Sequence, residues 1–138
     1  MHPLYERANE LSKDVYDSAI EVARYFGAGT MLESVYQKCL AKELELRGHK
    51  AVCEVSVPIN YKGYMFDENL RIDILVDDCL VIECKAVAPE KFDRDRFRAQ
   101  TLTYLKLMNL PLGMLINFGA SDLGHRGISR VILAGADQ

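Results

Sequence analysis

The chain lacks any apolar run near the roughly 18 residues that a membrane-spanning helix requires. Its opening stretch, Met1 to Leu11, carries charges early and has no apolar segment of the kind a secretory leader needs. The expectation is therefore a cytoplasmic protein. It also lacks paired cysteines. Cys39, Cys53, Cys79 and Cys84 are separated by 14, 26 and 5 positions, with no Cys-x-x-Cys and no closely spaced histidine pair. That argues against a zinc site and reads instead as small buried residues in a reducing compartment. An excess of basic charge is missing too. Seventeen Lys and Arg face twenty Asp and Glu, for a net charge of −3. Such a balance excludes non-specific nucleic-acid binding by the whole surface, but not by a local basic groove. Repeats, low-complexity tracts and Pro/Gly linkers are absent. With 138 residues, 49% hydrophobic and 27% charged, the chain reads as one globular domain over 1–138.

What is present has a clear order. Leu4, Ala8, Leu11, Val15, Ala19, Val22 and Phe26 recur at helical spacing, which predicts an amphipathic N-terminal helix over about 4–26, stopped at Gly27-Ala28-Gly29. Thr30-Met31-Leu32-Glu33 has the form of a capping box for a second helix ending at Gly48. Valine-rich alternation predicts a strand over 50–59, and Tyr61-Lys62-Gly63-Tyr64 reads as a turn. Strands are expected over 69–76 and 79–87, a helix over 91–109 ended by Asn109-Leu110-Pro111, and strands over 113–119 and 128–134. A helix between strands lets the chain return parallel to a hairpin strand, so an α/β layer fold with a mixed sheet is expected.

The hairpin holds the most informative residues. Arg71 to Val76 and Cys79 to Lys85 are apolar strands that nevertheless carry Asp73 on one side and Glu83 and Lys85 on the other. An unpaired buried charge is costly, so three charges in such strands call for a reason. Two carboxylates and a lysine can hold a hard cation and steer a water. The alternative is an ordinary surface hairpin with a Glu83–Lys85 ion pair. Register decides whether the acids meet. A tight two-residue turn at Asp77-Asp78 would set Asp73 opposite Ile82, facing away from Glu83; a three-residue loop or a bulge would set it opposite Glu83. The prediction is the loop or bulge.

Other candidates are weaker. Gln100 shares a helix face with Phe97, Tyr104 and Leu107, and a glutamine in an apolar stripe needs an inside partner, either the site on the sheet or a backbone group. Glu33 can cap its helix or look inward as a further acid. The run from Lys91 to Arg98 is nearly neutral and reads as a solvated face, although Arg94 and Arg98, four apart, suit a phosphate backbone. Arg126 and Arg130 are lesser candidates. His2, His49 and His125 form no pattern.

Taken together these pieces resemble the PD-(D/E)XK nuclease superfamily, and within it the GxxExxY protein family. The resemblance runs from about Gly27 to Val131. It rests on Leu32-Glu33-Ser34-Val35-Tyr36, Glu54 to Gly63, Arg71 to Val76, Ile82-Glu83-Cys84-Lys85-Ala86-Val87, Ala99 to Leu105, and Leu115-Ile116-Asn117-Phe118-Gly119. One departure is that three residues, not two, separate Gly29 from Glu33. The resemblance implies a restriction-endonuclease-like α-β-β-β-α-β core, here with an added N-terminal helix (1–26) and a C-terminal strand. It implies a nuclease acting on DNA with Mg²⁺ or Mn²⁺. Asp73 and Glu83 would be metal ligands, joined by the main-chain carbonyl of Cys84 and by Glu33, with Lys85 as catalytic lysine. Gln100 and Tyr104 match a glutamine–tyrosine element near the metal in related nucleases; Tyr104, Arg94 and Arg98 are candidate nucleic-acid contacts. The alternative is an inactive module of the same fold that binds nucleic acid or a protein, with Lys85 locked in an ion pair. A third reading has the N-terminal helix exposed for self-association, and the small size makes a homodimer an expectation.

Overall fold

A computed structural model describes residues 1–138. Two helices come first, α1 (Tyr5–Phe26) and α2 (Glu33–Leu46). Strand β1 (Ala51–Ser56) follows, then a small separate hairpin, β2 (Ile59–Tyr61) and β3 (Tyr64–Phe66). The central hairpin is β4 (Arg71–Val76) and β5 (Leu80–Lys85). Helix α3 (Arg94–Met108) crosses over to β6 (Leu112–Asn117), and a five-residue π-turn leads into β7 (Ile128–Ile132). The five-stranded sheet has the order β1-β4-β5-β6-β7, with β5 and β6 parallel and the other neighbours antiparallel. This is the expected mixed sheet, with the additional N-terminal helix and C-terminal strand. No helix is long and apolar enough to cross a membrane.

Helices cover both faces, and this accounts for the near-continuous apolar character of the inner strands. On one face Ile74, Val76, Leu80, Ile82, Leu112, Met114 and Ile116 pack against Ala8, Leu11, Val15, Ala19 and Val22 of α1 and Tyr36, Leu40 and Leu44 of α2. On the other, Ile72, Leu75, Val81 and Val131 meet Tyr104 and Leu105 of α3. The apolar stripe of α1 is therefore spent on the sheet. That corrects the reading of α1 as an exposed self-association helix.

Three local expectations also change. The capping box does not form: α2 begins at Glu33, its N-cap Leu32 makes no side-chain cap bond, and Thr30 Oγ1 donates to Phe26 O at 2.6 Å. The strand expected over 50–59 ends at Ser56, because the chain leaves the sheet to form β2–β3 around a Lys62-Gly63 turn, both residues having positive φ. Helix α3 starts three residues later than expected, at Arg94, where the Asp93 side chain accepts from Arg96 N–H.

The Asn117-Phe118-Gly119 segment locks the ends of β5 and β6. Asn117 Oδ1 accepts from Val87 N–H and its Nδ2 donates to Val87 O, both at 2.9 Å. Gly119 has no room for a side chain, since a Cβ there would collide with the Val87 main chain. Phe118 stacks on Tyr36 at 4.6 Å, and the Tyr36 hydroxyl donates to Gly27 O at 2.6 Å while accepting from Thr30 N–H at 3.0 Å. Tyr36 thereby fixes the start of α2, and with it Glu33, against the sheet.

Candidate functional site

The site grows out of the β4–β5 register. The ladder pairs Val76 with Leu80, Leu75 with Val81 and Ile74 with Ile82, so Asp73 and Glu83 are the next pair. Asp77 and Asp78 both adopt left-handed conformations, and Cys79 N–H donates to Val76 O at 3.0 Å. Cys79 is the extra residue that shifts the register, which is the predicted loop or bulge.

At the Asp73–Glu83 level the ladder changes character. Asp73 N–H donates to Glu83 Oε2 and Cys84 N–H donates to Asp73 Oδ2, each at 2.8 Å. Carboxylates stand where ladder carbonyls would, each held by the other strand's main chain. One oxygen of each acid is engaged this way. Neither acid is in an ion pair. Glu83 is only 3% exposed. Burial, followed by the Asp73 charge, pushes its carboxyl up to about 8. Burial, opposed by the Cys84 N–H and Lys85 and reinforced by Glu33 and Glu54, pushes Asp73 up to about 6. Burial and mutual repulsion thus disfavour two full negative charges on the pair, and a bound cation would relieve both.

Lys85 lies two residues beyond Glu83 on the same face. Its Nζ sits 4.6 Å from the centre of the Phe97 ring on α3 rather than in an ion pair. No Glu83–Lys85 ion pair forms. Glu33 is exposed at the first position of α2, freed from capping. Its charge raises both Asp73 and Glu83.

Two residues join the site that periodicity did not single out. Gln37, buried at 6% exposure, donates from Nε2 to Glu54 Oε1 at 2.9 Å and to Asp73 O at 3.2 Å. Glu54 lies opposite Asp73 between the pairs Cys53–Ile74 and Val55–Ile72, and has φ of +57°. A left-handed glutamate inside a strand is a costly conformation. Its consequence is visible on both strands: Cys53 and Ile74 pack toward α1 and α2, whereas Val55 and Ile72 pack toward α3. The strands roll over at Glu54 and Asp73, next to the carboxylates. The one available signal was Gln37 standing four residues after Glu33, on the same helix face. Nothing in a glutamate announces positive φ.

The α3 candidates separate. Gln100 is exposed, not inside, and its Nε2 donates to Tyr104 Oη at 3.1 Å. That corrects the expectation of an internal partner on the sheet or backbone. Tyr104 is 3% exposed, with its hydroxyl raised by burial and by Glu83. Its ring is withdrawn into the core, which corrects the expectation of a nucleic-acid contact. Arg94 and Arg98 are exposed on the β7 side, where they donate to Arg126 O at 3.3 Å and Arg130 O at 3.2 Å. They are not gathered with the hairpin acids.

A family model described as the PD-(D/E)XK nuclease superfamily matches residues 9–131. No curated protein and no solved structure matches the chain. The chain belongs to the PD-(D/E)XK nuclease superfamily, whose nucleases generally use divalent metals. The residues fit such an ion. The two carboxylates lie on paired residues with no ion pair to either, and each keeps one oxygen clear of the main-chain bonds. No third Asp, Glu, His or Cys completes a ligating cluster. The donor set is the carboxylate-poor kind suited to an ion that keeps waters and takes substrate phosphate.

Proposed function

We propose that this superfamily member hydrolyses phosphodiester bonds of nucleic acid, with DNA as substrate, using Mg²⁺ or Mn²⁺ held by Asp73, Glu83 and the main-chain carbonyl of Cys84. The observation that carries the reading is the Asp73–Glu83 pair: register-matched, each acid bonded to the opposite main chain, Glu83 buried and Asp73 half-buried, and neither in an ion pair. A divalent ion, when bound, lowers the pKa of a coordinated water and offsets charge on the transferring phosphate. The protein's part is preorganisation. The two N–H groups fix the carboxylates before substrate arrives, so little reorganisation remains at the moment of reaction. Lys85, resting over Phe97 and free of any carboxylate, orients the attacking water or receives its proton, and its charge favours the phosphate. Gln37 acts one step back, holding Glu54 and the Asp73 main chain. Glu33 adds negative charge at the mouth of the site, which strengthens its preference for a cation. Gln100, tied to Tyr104, lines the α3 side. The finer placement is the GxxExxY family, supported by Glu33 and the Tyr36 hydroxyl network at the start of α2.

The test is cleavage of a panel of DNA and RNA, single- and double-stranded, with Mg²⁺ or Mn²⁺, for the wild type and Lys85→Ala. The expected result is metal-dependent cleavage that falls at least about a hundredfold in the variant. Cleavage that survives the substitution would remove Lys85 and this site from the chemistry. A wild type that cleaves nothing would transfer the function to a binding module of the same fold.

A further inference from the structure

A second feature lies along the same surface. Lys85 and Asn117 are register partners at the C-terminal ends of the parallel strands β5 and β6, the end of an α/β sheet where ligands commonly bind. Beyond them opens a cleft of about 490 Å³, lined among others by Phe92, Arg94, Asn117, Asp122, His125 and Arg126. It is contiguous with the candidate site: Phe97, under the Lys85 ammonium, packs on Phe92 at 5.3 Å, and Phe92 is a wall of the cleft.

The charges are one-sided. Arg94, Arg126 and His125 face a single carboxylate, Asp122. The guanidinium of Arg126 and the imidazole of His125 have no ion-pair or hydrogen-bond partner in the chain, and both residues are exposed. Arg94 spends one donor on Arg126 O at 3.3 Å, which brings the two arginines together and leaves most of its fork unused. The larger cleft across the same loop, about 660 Å³, shares His125 and Asp122 but has no such bias: its own Arg24 and Arg47 are offset by Asp17 and Glu21. In a chain of net charge −3, two guanidinium groups with unused donors converging on one cleft form a local basic site of the kind that suits an anionic ligand.

We propose that this cleft is a phosphate subsite, with Arg126, Arg94 and His125 gripping a backbone phosphate of the substrate strand next to the scissile bond. The nuclease reading is used only to say which phosphate is bound; the cleft's affinity for phosphate stands without it. Arg126 is the specific element, because its side chain has no structural duty, whereas its carbonyl is the group Arg94 uses.

The experiment follows the imidazole NMR signals of the full-length protein during titration with inorganic phosphate, thymidine 5′-monophosphate and thymidine. His2 and His49 serve as internal controls, since both are bonded within the fold. The expected result is that both phosphates, but not thymidine, shift the His125 signals, and that Arg126→Gln weakens this about tenfold. No shift, or a shift indifferent to Arg126→Gln, overturns the subsite. A second arm measures binding of an oligothymidine and of a DNA duplex to Lys85→Ala protein across a salt series. Arg126→Gln should lower the slope of log K against log salt by about one. An unchanged slope beside weakened phosphate binding would mean that the cleft takes free phosphate, overturning the strand assignment. Cleavage by the wild type with no phosphate response at His125 would sink the cleft and spare the nuclease. A phosphate response and lowered slope without cleavage of any substrate would do the reverse.

Discussion

The two ends of the β4–β5 hairpin hold the same kind of side chain in opposite conditions. At the turn, Asp77 is wrapped in donors. Its carboxylate accepts from Lys50 N–H at 2.8 Å and bonds His49 Nδ1 at 2.9 Å, and Arg7 stands 3.9 Å away. Although burial alone would raise it, these donors, led by the Lys50 N–H, hold its carboxyl below the usual range. His49 in turn bridges Asp77 to Asp14 on α1; the two acids outweigh its burial and raise its pKa. At the open end, Asp73 and Glu83 have one N–H each, no ion pair, and each other. Their carboxyls are raised. A satisfied carboxylate binds the fold together; a crowded one is a cost the fold carries at a place where a cation can remove it.

The largest effect should come from removing that crowding. Glu83→Gln keeps an acceptor for the Asp73 N–H but loses the charge. Cleavage should fall on the order of 10²–10³-fold, while the metal-free protein gains roughly 1–2 kcal/mol, a Tm rise of a few degrees in a thermal melt. A fall in Tm together with lost activity would mean that the pair is structural and would dissolve the contrast.

The mirror change is Asp77→Ala. It should cost about 1–3 kcal/mol by denaturant titration, since it strands the Lys50 N–H and the His49 ring, and leave kcat within about twofold, because nothing at the open end moves.

Next comes pH. Acids whose folded pKa is raised bind more protons in the native state, so their contribution to stability is present below the unfolded value and is lost as pH rises through the folded one. The metal-free wild type should lose stability between about pH 4 and pH 8. His49, also raised, loses its contribution above its ordinary value near 6.5, whereas Asp77 loses its contribution only in acid. The difference between wild type and Glu83→Gln isolates the open end. Mg²⁺ or Mn²⁺ should raise Tm more at pH 8 than at pH 5, where binding must displace protons. An equal shift at both values would place the ion elsewhere.

The smallest effect should follow Gln37→Leu, which frees Glu54 and the Asp73 carbonyl without touching either acid directly. A loss of about tenfold in metal affinity or kcat/KM is expected, typical of outer-shell partners. Intact kinetics would confine Gln37 to packing.

These contrasts also show what local pattern can carry. The helices and the sheet strands were legible, because apolar periodicity is a short-range signal. Asp73, Glu83 and Lys85 stood out for the same reason: a charge in an apolar strand is visible without knowing its neighbours. The one-residue register shift was expected from the need of the two acids to meet, since Asp77-Asp78 alone equally suits a two-residue turn of the opposite register. The misreadings share a cause. Thr30 and Glu33 have capping-box spacing, but Tyr36 and Phe26, brought in by the fold, claim the groups around Thr30. Gln100 and Tyr104 have the right spacing for one helix face, yet which of them is buried depends on where α3 rests on the sheet. The β2–β3 arm was hidden because Ile59 to Tyr61 continues the alternation of β1.

The sequence by itself determined the alternation of elements, the core faces and the candidate chemistry of the hairpin, since each depends on residues within a turn or two of one another. Tertiary structure alone decided that Glu83 would be buried beside a half-buried Asp73 with no ion pair to either, that Gln37 would clamp a left-handed Glu54 beside Asp73, and that two arginines and a histidine would line one cleft beyond the ends of β5 and β6. Those facts depend on desolvation and on charge–charge distances between segments far apart in the chain, and no local spacing encodes either.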